Sequence, residues 1–324
     1  MGMLVFGRFL YYGKSFVGGA DGLSQVAPTM QYTGQYYRAL LKNILQGNLQ
    51  IPMWDMSIGF GMNILQVISF DPVYILCSVL FVHDIAVGIA IFDMLCLYLA
   101  GIMFIALCYN LGCNRYAALA AALAYIFNGY ILNYCIAQNS FLRLFIVLPM
   151  ILLGVYNVTK KNRYGIFVLA VLYNITLGPL NIYTIGIVLI FCFCMAYIFS
   201  DRKKGVADFF SYIWKPVLIY ILEMLVMAVF LIPTMYKVVS GGRIGNASIN
   251  FQWLYDVSYY RSLFHGLVGI DEIGIHGYLG VTTLAVLAVV SLVTRRKKNI
   301  LEKKLCVFGI IALFLAIFPI GSYF

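Results

Sequence analysis

Residues 164–200 read YGIFVLAVLYNITLGPLNIYTIGIVLIFCFCMAYIFS, 37 positions without a charged side chain. One α-helix of that length would reach about 55 Å, at 1.5 Å per residue. The hydrocarbon core of a bilayer is only about 30 Å thick. The stretch therefore turns back, and Gly178-Pro179 is the natural break. It predicts two membrane spans side by side.

The neighbouring sequence repeats the pattern. Uncharged runs occupy residues 94–114, 116–142 and 144–159, and later 273–294 and 305–324; residues 216–236 carry only Glu223. Together with the pair in 164–200 they predict about eight spans after residue 84. Composition agrees. The chain has 324 residues, of which 63% are hydrophobic and 10% charged, against roughly 25% charged in ordinary soluble domains. Mean hydropathy is +0.93. A soluble globule could not bury so much apolar surface behind so few charges. A soluble enzyme, a disordered tail and a nucleic-acid-binding domain are excluded, and no nucleic-acid partner is expected.

The net charge of +10 is explained by where the basic residues fall. If the spans alternate, Arg115, the Lys160–Arg163 cluster, Arg202 to Lys204 with Lys215, and the 295–304 cluster lie on one side. Those loops hold 14 of the 22 basic residues. Asp21, Asp55, Asp71, Asp84, Asp256, Asp271 and Glu272 lie on the other. The charge rule makes the basic side cytoplasmic. The expected location is a cell membrane, multi-pass, with residues 13–84 and 237–275 outside the cytoplasm. The eight cysteines lie in or beside apolar runs and read as packing residues. Neither they nor the three histidines have zinc-site spacing, so no metal or cofactor is expected.

The predicted organisation has three parts. Residues 1–12 form a residual first span or an interfacial helix, too short to cross. Residues 13–84 form an extracytoplasmic loop with amphipathic helices. Residues 85–324 form the transmembrane bundle, with an outer loop at 237–275. In the second part, Gln31-Tyr32-x-x-Gln35-Tyr36-Tyr37-x-x-Leu40-Leu41 has apolar and aromatic positions at spacings of three and four. This predicts an amphipathic helix on the membrane surface, with Arg38 and Lys42 towards headgroups. A glycine-rich Gly59-Phe60-Gly61 follows, and Asp71-Pro72 opens a further helix, with Asp71 as its N-cap. Inside the bundle, Asp93 and Glu223 are intramembrane polar groups, which default to functional candidates because burying them is costly. Arg143 reads as a residue snorkelling at the end of a span.

The ordered set Gly13-Lys14-Ser15-Phe16, Asp21-Gly22-Leu23-Ser24-Gln25, Pro52-Met53-Trp54-Asp55, Ile58-Gly59-x-Gly61 and Phe70-Asp71-Pro72 resembles the YfhO family of bacterial membrane proteins. Ala124-Tyr125-Ile126-Phe127-Asn128-Gly129-Tyr130, Leu148-Pro149-Met150-Ile151-Leu152-Leu153-Gly154, Leu231-Ile232-Pro233 and Gly242-Arg243 extend the resemblance over nearly the whole chain. It implies an all-α polytopic bundle of the GT-C glycosyltransferase type. Such enzymes take a sugar from a polyprenyl-phosphate carrier in the membrane lipid to an acceptor, here a cell-envelope polymer such as teichoic acid. An acceptor hydroxyl needs a carboxylate to take its proton. The resemblance implies Asp21 for this role, with Asp55 second. Gln25, Trp54, Asp71, Lys237 and Arg243 are the expected contacts to substrate or carrier: Trp54 is able to stack on a sugar, and Gly241-Gly242 before Arg243 would let backbone N–H groups approach a phosphate, which a cation stabilises as it leaves. Family members are longer and begin with a complete first span, so the chain reads as an N-terminal fragment, inserted but poorly active alone. A transporter or lipid flippase is the rival reading; it would be favoured by an inverted repeat, and none is visible.

Overall fold

A computed structural model describes residues 2–18, 21–48, 50–136, 138–177, 206–240, 256–261 and 283–295, with isolated positions between 185 and 193, at 254 and between 302 and 310. The described part is mostly helical. Its helices are α1 (Gly2–Tyr11), α2 (Ala27–Leu45), α3 (Pro72–Leu80), α4 (Ile85–Asn110), α5 (Arg115–Ile126), α6 (Leu144–Lys161), α7 (Gly165–Thr176), α8 (Val206–Val226), α9 (Ala228–Ser240) and α10 (Thr283–Thr294). The fold class is therefore all-α. The exception is a two-stranded antiparallel hairpin in the 13–84 segment, pairing β1 (Trp54–Asp55) with β2 (Met62–Asn63).

Among the described residues, two helices are long and apolar enough to cross a membrane, α4 and α6. Helix α4 has 26 residues and reaches about 39 Å. Asp84 starts it by accepting the Val87 N–H. Helix α6 ends where Asn162 adopts a left-handed conformation (φ 52°) after Lys160 and Lys161 in the last turn. Cations there meet the negative end of the helix dipole.

The other expected spans differ from the uncharged runs. The run 116–142 is not one helix. α5 stops at Ile126, and Asn128 then donates to the Tyr125 carbonyl and accepts the Ile131 N–H. A π-helical turn, Ile131–Cys135, follows. An uncharged run records the absence of charge, while Asn128 competes with the helix for backbone groups. The run 216–236 is likewise divided at Met227 between α8 and α9. Of residues 164–200, α7 is described to Thr176, and Gly178-Pro179 lies outside the described residues. So do residues 273–282 and 311–324.

Three apolar clusters hold these elements. One, built on Met30, Tyr74, Ile89, Phe92, Ile131 and Leu142, joins α2, α3 and α4 to the segment before α6. A second, on Val147, Ile151, Phe167, Val171 and Leu231, joins α6, α7 and α9. The third is Ile64, Leu65 and Ile68 beneath Tyr32, Tyr36, Tyr37, Phe70 and Phe230.

Helix α2 differs from its sequence reading in an informative way. Its tyrosines fasten the loop: Tyr32 donates to Asp55, Tyr36 to the Pro52 carbonyl and Tyr37 to the Ser69 carbonyl. Arg38 donates to the Val79 and Leu80 carbonyls at the end of α3. Unpaired carbonyls at a helix C-terminus attract a cation, so Arg38 is engaged inside the segment rather than with headgroups. At Gly34 a Cβ would lie 2.2 Å from the Ser78 carbonyl oxygen. Gly34→Ala is therefore expected to force α2 from α3 and cost about 1–3 kcal/mol. Thermal unfolding in detergent checks this; an unchanged midpoint would contradict the close approach.

Candidate functional site

Where the 13–84 segment meets the helices lies a cavity of about 340 Å³. Five stretches form its wall. The start of α2 and the π-helical turn before it (Gly22–Val26) supply Gln25, Val26 and Thr29, and the turn after the hairpin supplies Leu65 to Phe70, with Tyr74 beyond. The segment leading into α6 supplies Gln138, Asn139, Ser140 and Arg143. The end of α7 and the α8–α9 junction add Ile175 to Leu177, Met227, Phe230 and Leu231. The loop is clasped to α9 beside this wall. Gln66 donates to the Pro233 carbonyl at 2.9 Å, and the Phe70 and Phe230 rings lie 3.9 Å apart.

Behind the wall sits a buried ion pair. Asp71 has no exposed surface. One carboxylate oxygen accepts the Val73 and Tyr74 N–H groups and caps α3. The other accepts the Tyr173 hydroxyl and lies 3.6 Å from the Arg143 guanidinium. The same guanidinium stands 5.8 Å from the centre of the Tyr74 ring. A single carboxylate thus links α3, α6 and α7. Arg143 was read from sequence as a snorkelling residue, yet its side chain is only 13% exposed. The signal was present: one charge dividing two long apolar runs is costly unless it is used.

The other sequence candidates are distributed as follows. Asp21 is exposed, and its carboxylate accepts the Gln25 amide at 2.9 Å. Gln25 lines the cavity and Asp21 does not, so Asp21 is one hydrogen bond removed from the wall. Trp54 and Asp55 lie on the hairpin, outside the cavity wall. Asp55 accepts from Tyr32 at 2.7 Å and from both the N–H and hydroxyl of Ser57. The Ser57 bonds, then Tyr32, hold its carboxyl below the usual range, which weakens it as a base. A depressed folded pKa stabilises above the unfolded value and is lost as pH falls through the folded one. Acidification through the carboxylate range is therefore expected to loosen residues 52–63. Hydrogen exchange, corrected for its intrinsic pH dependence, should show this in the wild type and not in Asp55→Asn. Equal loosening in both would contradict it.

Asp93 is fully buried on α4 and faces Asn139, but no hydrogen bond closes between them. Both oxygens of Glu223, on α8, are also without a hydrogen-bond partner among the described residues. Lys237 lies on α9, its side chain outside the described residues, and Arg243 falls outside them altogether. Among the described residues, no three His, Cys, Asp or Glu side chains are grouped to hold a metal.

The match to known families covers residues 1–323 and is to bacterial membrane protein YfhO. The chain belongs to the YfhO family. It is accordingly a membrane protein, and α4 and α6 are the described helices able to cross. No curated protein and no solved structure matches it. In this YfhO-family chain, then, the loop and the helices together line a half-open cavity with polar and apolar walls. Gln138 and Asn139 on its wall escaped the sequence reading, and Arg143 entered it only as a snorkelling residue.

Proposed function

We propose that the chain is a GT-C-type membrane glycosyltransferase working on the extracytoplasmic face of a bacterial cell membrane. It moves a sugar from a polyprenyl-phosphate carrier to a cell-envelope polymer, with teichoic acid as one such acceptor. One observation carries this reading: Gln25 lines the cavity and also holds the Asp21 carboxylate at 2.9 Å. The acid that the family resemblance picks out is thus one hydrogen bond away from a residue lining the space between loop and helices. Its exposure leaves it open to an acceptor arriving from water.

In this reading the acceptor hydroxyl gives its proton to Asp21 as its oxygen attacks the anomeric carbon. The bond from that carbon to the carrier phosphate breaks, and the electron pair goes to the phosphate oxygen. The charge asymmetry of the loops supports an outward site, because the basic clusters mark the cytoplasmic side. Trp54, on the exposed hairpin, would meet the acceptor, and Lys237 and Arg243 the carrier.

The test uses the gene in its bacterial host. Envelope polymers are isolated from wild type, a deletion strain and strains carrying single substitutions, and their sugar content is measured. Loss of one sugar in the deletion strain, restored by the wild-type gene, is expected. Identical sugar content in wild type and deletion would overturn the proposal.

A further inference from the structure

The polar groups of the cavity wall are unevenly satisfied. Arg143 Nε, Asn139 Nδ2 and Gln138 Oε1 are buried and have no hydrogen-bond partner among the described residues. Asn139 is 4% exposed. Buried polar atoms left unpaired cost free energy, and native proteins rarely keep several together without a use. Here the three residues that carry them stand on one segment, and all three residues line one cavity.

Their chemistry describes what would satisfy them. Arg143 meets Asp71 only through its Nη1 corner, at 3.6 Å, and Ser69 Oγ through the same atom at 3.5 Å. Its Nε remains a charged donor without an acceptor. Asn139 Nδ2 offers a second donor. Arg143 also directly precedes the 18-residue α6, whose N-terminus adds positive potential. Two donors in a positive field call for an anionic group rich in acceptors. Gln138 Oε1, an unpaired acceptor, calls for a hydroxyl instead. A ligand that answers both is a phosphate ester carrying a hydroxylated ring. Another part of the wall, Met227, Phe230 and Leu231, is apolar and suits the hydrocarbon beside that phosphate.

We infer that Arg143 and Asn139 bind the phosphate of a lipid-linked glycosyl phosphate, and that Gln138 binds a hydroxyl of its sugar. The inference rests on the transferase reading above and deepens it by placing the donor. It moves the phosphate contact from the 237–243 segment to the residues that precede α6.

The test is direct binding to the full chain in phosphatidylcholine nanodiscs, using polyprenyl monophosphate with and without an attached hexose. Arg143→Gln is expected to weaken both ligands about ten-fold or more, the loss of a charge-assisted bond. Because that variant also strips Asp71 of its partner, Asn139→Leu is the deciding second variant. It leaves the Asp71–Arg143 pair untouched and is expected to weaken both ligands about ten-fold; because Asn139 also faces the buried Asp93, the double change Asn139→Leu with Asp93→Leu, which strands no carboxyl, is expected to bind as weakly as the single one. Gln138→Leu is expected to weaken only the hexose-bearing ligand, by about five-fold. Hexose 1-phosphate should compete, and phosphatidylglycerol should not.

Wild-type binding by Asn139→Leu would overturn the inference, as would equal competition by phosphatidylglycerol, which marks a general anionic-lipid site. Asp21→Asn separates the two levels. It should bind both ligands normally and fail in transfer. Normal transfer by Asp21→Asn with weakened binding in Asn139→Leu would sink the assignment of the base and leave the donor site standing.

Discussion

Asp21→Asn is expected to lower sugar transfer by about 10²–10⁴-fold, the usual scale of general-base loss. Membrane insertion and thermal stability should be unchanged. The amide keeps the size of the side chain and still accepts the Gln25 bond, so the turn before α2 is not disturbed. Only the capacity to take a proton is removed. Asp55→Asn is expected to cost transfer much less, because the Asp55 carboxylate is already engaged by Ser57 and Tyr32. Sugar content of the isolated envelope polymer checks both. Wild-type content in Asp21→Asn would pass the role of leading base to Asp55.

Asp71→Ala is expected to be the most destabilising single change in the described part of the chain. It removes the cap of α3, worth about 1 kcal/mol. It also leaves Arg143 buried without its counter-charge, and breaking a buried pair in this way typically costs about 3–5 kcal/mol. Asp71→Asn should fall between, since its side-chain oxygen still caps the helix. The double change Asp71→Ala with Arg143→Met should recover part of the loss, because the stranded charge is gone. Thermal melts of the purified protein in detergent measure all three. An Asp71→Ala melt equal to wild type would mean that the contact across α3, α6 and α7 carries no stability.

Some of this was legible in the residues. Asp84 and Asp71-Pro72 mark the starts of α4 and α3 because a short acid before an apolar run satisfies free N–H groups locally. The uncharged run 144–159 matches α6, because burial in hydrocarbon is a property of a single segment, whereas 94–114 catches only the later part of α4, which runs back through the buried Asp93 to Ile85. The divided runs were harder. Asn128-Gly129 is a turn signal inside 116–142, but a ruler that counts only charge passes over it. Tertiary assignments were least legible. The spacing of Tyr32, Tyr36 and Tyr37 fits a membrane-surface helix as well as it fits a helix that fastens its own loop. Arg143 stands at the boundary of two runs whichever way it points. Its value depends on Asp71, brought to it from another element, and no local pattern in the chain encodes that meeting.

The central claim is that the cavity between loop and bundle holds the carrier phosphate. Photo-crosslinking with a polyprenyl phosphate bearing a diazirine next to its phosphate tests this most directly, in native membranes and without knowledge of the sugar. Adducts mapped by mass spectrometry are expected within 138–143 and 227–231, and unlabelled polyprenyl phosphate should displace them. Adducts confined to the 237–275 segment, or spread along α4 and undiminished by the competitor, would contradict it.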